Sequence, residues 1–273
     1  MVLATAGFAL GIRPVSSLLP HEETIPAHVR QLASDIKRDG VQKDPIIIDK
    51  DSGTVLDGMH RLAAFGELGV ENAVVCSVDY SSRAVGLRRW ARVYRLSAGD
   101  SPAGAIAAFG NLKKSTLAEA FSELERKDAG FAILTSGAAY LSRGGLNVGD
   151  AMGAVVAFDR LSEDRRWERR FVPEDEVDVP LQDAGNIVLL VRRLAKDDVV
   201  AAAKTGRLFP CKTSMHVIDP RPVAVDFPIR ELDSATTAIL RERLGKHGGR
   251  LEPPGTVYEG RMYKERLLLL DQD

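Results

Sequence analysis

Val55-Leu56-Asp57-Gly58-Met59-His60-Arg61-Leu62 reads as a short apolar strand that breaks at Asp-Gly and restarts as a helix. Gly58 permits the tight turn. Leu62, Phe65 and Leu68 then recur on one helical face, and Gly69 supplies the stop. A strand-to-helix junction of this kind presents backbone N–H groups and the positive end of the helix dipole, where an anion is favoured. His60 and Arg61 add side-chain donors, and Asp57 stands where it can hold a metal ion or orient a donor. The plainer alternative is an ordinary Asp-Gly turn with a surface arginine.

Working outward from that turn, Phe8 to Leu19 reads as a strand and its exit. Val29, Leu32, Ala33 and Ile36 form the stripe of an amphipathic helix, with Pro26 in its first turn and Gly40 at its end. Pro45 to Ile48 and Thr54 to Leu56 are strands joined by the turn Lys50-Asp51-Ser52-Gly53. Ala73 to Tyr80 and Val85 to Tyr94 are further strands. Ser97 to Lys114, rich in Gly, Ala and Ser, reads as a linker with one short helix. Beyond it Thr116 and Glu119 spell a capping box. A hairpin is expected over Phe131 to Leu141, helix over Val148 to Arg169, and a buried strand over Ile187 to Val191. Lys196 to Lys204 reads as helix, Pro210 to His216 as a loop, Leu232 to Leu244 as a last helix and Thr256 to Leu270 as a hairpin. Interleaved strands and helices predict an α+β, α/β-like fold. The expected division is a domain over 1–96 and a smaller α/β domain over 97–273, forming a cleft.

The chain has 273 residues, 45% of them hydrophobic and 27% charged, a globular composition that excludes disorder and fibrous repeats. Lys plus Arg is 37 and Asp plus Glu is 38, so the net charge is -1, without the basic excess of a wholesale nucleic-acid binder. No apolar run approaches the ~18 residues of a membrane span. Met1 to Leu10 lacks a basic start and a cleavage site, and is expected to lead into the first strand rather than to act as a signal peptide. The two cysteines, Cys76 and Cys211, form no metal-binding pattern. A reduced, cytoplasmic protein is the expectation.

Three other clusters bear on chemistry. Glu22 and Glu23 lie between a strand and a helix, where a general base is often held, although acids there also favour the helix N-terminus. Lys212-Thr213-Ser214-Met215-His216 packs a cation, two hydroxyls and an imidazole into a phosphate-binding inventory. Arg83, Arg88, Arg89, Arg92 and Arg95 are interleaved with Trp90 and Tyr94, a pattern that suits nucleic acid; the neutral net charge favours instead a solvated strand face or arginines paired with acids elsewhere. Glu174-Asp175-Glu176 is expected to be solvated.

From Leu18 to Leu68 the chain resembles the ParB/sulfiredoxin fold, in which a strand, a helix, a hairpin and a strand-to-helix turn end in a Gly-x-His-Arg or Gly-x-Arg-Arg motif. Sulfiredoxins carry a catalytic Cys just before His-Arg, where this chain has Met59. ParB proteins continue into a helix-turn-helix, and none is found here. The free L-serine kinases are the branch the chain resembles. Pro20-His21-Glu22 is similar to their Pro-His-Glu, and Asp57-Gly58-Met59-His60-Arg61 to their Asp-Gly-His-His-Arg. Asp79-Tyr80 with Trp90, and Cys211-Lys212-Thr213-Ser214-Met215-His216, follow in the same order. Met59 and Met215 depart from the family's His and Arg, and the tail beyond Leu232 is additional.

The resemblance implies phosphoryl transfer from ADP or ATP, with Mg²⁺, to the hydroxyl of free L-serine. It implies Glu22 as base, Asp57 on the metal or phosphates, and Gly58, His60 and Arg61 on the donor phosphates. Lys212, Thr213, Ser214 and His216 would hold the transferred group, and Trp90 would line the substrate pocket. Nucleotide and a small amino acid are the expected partners, with neither membrane nor nucleic acid. Threonine or homoserine as acceptor, and a ParB-like DNA-binding regulator, are the alternatives.

Overall fold

The computed structural model describes residues 8–110, 112–144, 147–245 and 249–270. The reading of Met1 to Leu10 as a non-cleaved lead-in therefore falls largely outside the described residues. Among the described residues no helix is long and apolar enough to cross a membrane. The chain packs into two compact units. The first comprises 1–86, 199–211 and 216–273, and the second 87–198 and 212–215.

The first unit is built on a four-stranded sheet in the order Ala9–Pro14, Asn72–Val78, Ile46–Asp49, Val55–Asp57. The pairing of Ile46–Asp49 with Asn72–Val78 is parallel, and the other two pairings are antiparallel. The helix Pro26–Asp39 turns Val29, Ala33 and Ile36 inward, and Gly40 caps it in the left-handed conformation at φ 69°. The helix Met59–Leu68 buries Leu62, Ala64 and Phe65 and ends at Gly69. These side chains join Ile46, Ile48, Val55, Ala73 and Val75 in one core. The C-terminal part adds a three-stranded sheet in which Leu267–Leu269 lies between Arg221–Val223 and Arg250–Glu252.

The second unit is an antiparallel sheet. The end of the strand Val85–Arg95, from Arg92 to Arg95, lies between Glu168–Pro173 and Asn186–Val191, followed by Phe131–Leu134, Ala139–Leu141 and Lys113–Ser115. Strand alternation puts Ala91, Val93, Val188 and Leu190 on one face, against Ala120, Leu124 and Leu181. Tyr94 is packed against Phe158 and Trp167. The capping box at Thr116 and Glu119 is formed.

Several expectations change. The chain passes between units at Gly86–Leu87 rather than near residue 96, because the strand Val85–Arg95 continues into the second sheet. Ser97 to Lys114 is part of the second unit, not an interdomain linker. Ala105 is buried, Phe109 stacks on Phe158 at 4.4 Å, and Asp100 binds Arg165 and the Trp167 indole. The helix from Val148 ends at Asp164, after which Arg166 takes a positive φ and Glu168–Pro173 forms an edge strand. Ser214–Ile218 is a strand, so only the start of the expected loop remains one. The last helix is Thr237–Gly245. Val257–Tyr258 and Arg261–Met262 form the expected hairpin, but Leu267–Leu269 pairs elsewhere.

Candidate functional site

The loop His21–Ile25 is fastened from several directions within the first unit. His21 Nδ1 meets the Val55 carbonyl oxygen at 2.7 Å, which requires that nitrogen to carry the proton. The Phe209 N–H donates to the His21 carbonyl, and the Glu23 N–H donates back to Phe209. The Ile25 N–H donates to His60 Nε2 at 3.1 Å, joining the loop to the turn after Asp57. The outcome differs between the two acids. Glu22 is 5% exposed and lies inside the unit, whereas Glu23 faces solvent.

His21 is fully buried, with Nε2 3.8 Å from Glu22 Oε1. Burial lowers its pKa from the usual value, against the opposing pull of Glu22 and of the Val55 carbonyl. It is therefore a neutral ring beside the candidate base. His216 packs edge-on against it, with ring centroids 5.3 Å apart, and its Nε2 is 2.8 Å from the Tyr80 hydroxyl. His21, Glu22, Tyr80 and His216 thus form one buried polar group.

Gly58 sits at φ 96° and caps the helix Met59–Leu68. A Cβ on it would come within 2.9 Å of Arg61 Nη1 and 3.4 Å of Ile46 Cα, so glycine is demanded by both backbone and space. The Asp57 side chain is 42% exposed at the end of its strand, 3.3 Å from Arg221 Nη1. Arg61 is occupied in holding the fold. Its Nη1 donates to the Pro45 carbonyl at 2.9 Å, and Nη2 lies 3.4 Å from Asp44 Oδ2. Met59 packs against the core, which accounts for an apolar residue at that position.

The remaining candidates belong to the second unit. Lys212 takes a φ of 57° and places Nζ 5.1 Å from the Trp90 ring centroid. Buried Arg92 donates to the Lys212 carbonyl at 3.3 Å and to Thr213 Oγ1 at 3.4 Å, setting a fixed positive charge beneath the turn. The Trp90 N–H donates to the Thr213 carbonyl, and Ser214 is buried. Trp90, Lys212, Thr213 and Ser214 are therefore grouped with each other, and Glu22, Asp57, Gly58, His60, Arg61 and His216 are grouped within the first unit.

The arginine-rich strand resolves as ion pairs. Arg88 meets Asp175, Arg95 meets Asp183, and Arg92 lies 3.6 Å from Asp159. Arg89 is buried between Glu174 at 2.6 Å and Glu125 at 3.0 Å. Glu174 is thus a buried partner of Arg89 and Arg193 rather than a solvated acid.

Compared with known proteins, the chain is 27% identical over 239 residues to an ATP-dependent L-serine kinase of Staphylothermus marinus, covering 80% of this chain and 89% of the relative. It is 23% identical over 229 residues to an ADP-dependent L-serine kinase of Thermococcus kodakarensis, covering 80% and 90%. A solved free serine kinase in complex with AMP superposes with a TM-score of 0.65 at 22% identity, over 82% of this chain and 93% of that one. The chain is thus similar in sequence to L-serine kinases and has the fold of the solved free serine kinase. No protein-family profile matches the chain.

Sequence reasoning missed Arg221, Glu265 and Asp44, which surround the Asp57–Arg61 turn. One signal for Arg221 was available. It is a charged residue heading the otherwise apolar run Pro222-Val223-Ala224-Val225, and a charge in a buried strand needs partners. Glu265 and Asp44 carry no comparable signal.

Proposed function

We propose that this chain transfers a phosphoryl group from ADP or ATP to the hydroxyl of free L-serine, giving O-phospho-L-serine. The gathering of Glu22, Asp57, His60 and His216 in one unit, on the fold of free serine kinases, is the observation that supports it. Phosphoryl transfer asks mainly for positioning and charge stabilisation. Glu22 takes the proton of the serine hydroxyl as that oxygen attacks the terminal phosphorus, and its burial keeps water from competing. Gly58, His60 and the N-terminus of the helix Met59–Leu68 receive the donor phosphates. Arg61 contributes positive charge there while its donors hold Asp44 and Pro45. His216, in the same unit, is a further donor to the transferred group, and within the second unit Lys212, Thr213 and Ser214, grouped with Trp90, supply a cation and hydroxyls of the kind that bind phosphate.

Mg²⁺ is commonly held through one or two carboxylates together with substrate phosphates. Asp57, with its exposed oxygens, fits that role, and among the described residues no group of three His, Cys, Asp or Glu forms a separate cage. When bound, the ion supplies charge neutralisation at the phosphate oxygens. A cytoplasmic setting goes with this reading.

The test is an acceptor panel of L-serine, L-threonine and L-homoserine, each with ADP and with ATP, and mass spectrometry of the amino acid. Phosphoserine from either donor supports the proposal. Phosphorylation of threonine or homoserine in preference to serine replaces the acceptor, and no phosphorylated amino acid with any pair refutes it.

A further inference from the structure

Asp57 is gripped by a side chain that lies outside every motif described above. Arg221 opens the strand Arg221–Val223, and its side chain is 5% exposed. Its guanidinium is held at three points. Nε meets Glu265 Oε1 at 2.6 Å, Nη2 donates to the His216 carbonyl at 2.7 Å, and Nη1 reaches to 3.3 Å from Asp57 Oδ2. Burial works against the charge on Arg221, but Asp57 and Glu265 outweigh it and hold the group more firmly protonated than usual.

Glu265 is itself buried, 8% exposed, on the C-terminal segment. The backbone fixes it there. The Arg221 N–H donates to the Arg266 carbonyl at 2.8 Å, and Leu267–Leu269 runs parallel to Arg221–Val223. The Tyr263 ring lies 6.0 Å from the guanidinium carbon. A guanidinium is a planar fork, so two bonds on one side leave its remaining edge a single direction. Here that direction is Asp57.

We propose that Glu265 and Arg221 are positioning residues for nucleotide binding, through which the C-terminal segment sets the carboxylate of Asp57. The inference rests on the kinase reading. One guanidinium between two carboxylates leaves the trio with a net charge of -1, and of the two acids only Asp57 is substantially exposed. Glu265 thereby keeps Arg221 from closing onto Asp57 as a fully neutralising pair. Asp57 is left oriented yet still anionic, as a residue that binds Mg²⁺ with a nucleotide must be.

Calorimetric titration with ADP in the presence of Mg²⁺ tests this, using wild type, Glu265→Gln, Asp57→Asn and the double variant. Glu265→Gln keeps the shape and is expected to weaken ADP binding about 10–100-fold, the usual cost of losing a residue that orients a ligating group. In the Asp57→Asn background it is expected to cost nothing more. Arg221→Lys, which keeps the charge but cannot span three acceptors, reproduces the loss. Additive losses in the double variant overturn the proposal, as does undiminished affinity in both Glu265→Gln and Arg221→Lys. Phosphoserine formation by wild type is followed in parallel. Its absence alongside intact ADP binding refutes the kinase reading alone, and a wild type that binds no ADP refutes both.

Discussion

Glu22 and Glu23 are adjacent in the chain and opposite in setting, one buried beside a neutral histidine and the other in solvent. Glu22→Gln is expected to lower turnover ~10²–10⁴-fold, the range for loss of a general base. Glu23→Gln should stay near wild type. Steady-state rates at saturating serine check this, and the reverse ranking would move the base to Glu23. The neighbouring histidine predicts a pH effect on stability. Burial lowers the pKa of His21 below the 6.5 of the free side chain, so the unfolded chain takes up the proton more readily. Stability is then complete above that value and is lost as pH falls through it toward the lower folded-state value. Urea midpoints from about pH 8 to about pH 5 should fall for wild type and fall less for His21→Asn, which has no imidazole to protonate. Parallel profiles would contradict the buried neutral ring.

At the scale of elements, much of the first unit was legible from Ala9 to Val78. The apolar stripe Val29, Ala33, Ile36, the β-branched run from Ile46 and the left-handed glycines Gly40, Gly58 and Gly69 are local signals, and each element ended where its glycine or turn placed it. What stayed hidden depends on partners far along the chain. Nothing near Glu174 reveals that it is buried under Arg89 and Arg193. Nothing near Ser214 reveals that it begins a strand. These long-range partners carry measurable energy. Glu174→Ala strands a buried guanidinium and is expected to cost ~3–5 kcal/mol in urea unfolding. A loss under ~1 kcal/mol, the range of surface pairs, would mean that Arg89 is already solvated. Arg61→Ala is expected to cost ~1.5–3 kcal/mol through its bonds to Pro45 and Asp44. Calorimetry with ADP on the same variant separates that structural share from a phosphate contact. Full stability with weakened binding would make Arg61 a ligand residue only.

At the scale of the whole molecule, the series Glu22, Asp57, His60 and His216 came from the ordered resemblance to the free serine kinases, and the structure groups the four in the first unit. The two-unit organisation was less legible. Contacts assign residues 199–211 and 216–270 to the unit that begins the chain, and no local composition records such a return. For the arginines of the strand Val85–Arg95 the neutral net charge weighed against a nucleic-acid surface, and the structure engages four of them with acids.

Transfer of a phosphoryl group from nucleotide to serine is read directly by phosphorus NMR of the protein with Mg²⁺, L-serine and either ADP or ATP. A phosphoserine resonance is expected to grow with AMP from ADP, or ADP from ATP, in equal amount and only when serine is present. Nucleotide consumed at the same rate without serine, or untouched by a folded protein with either donor, would contradict it.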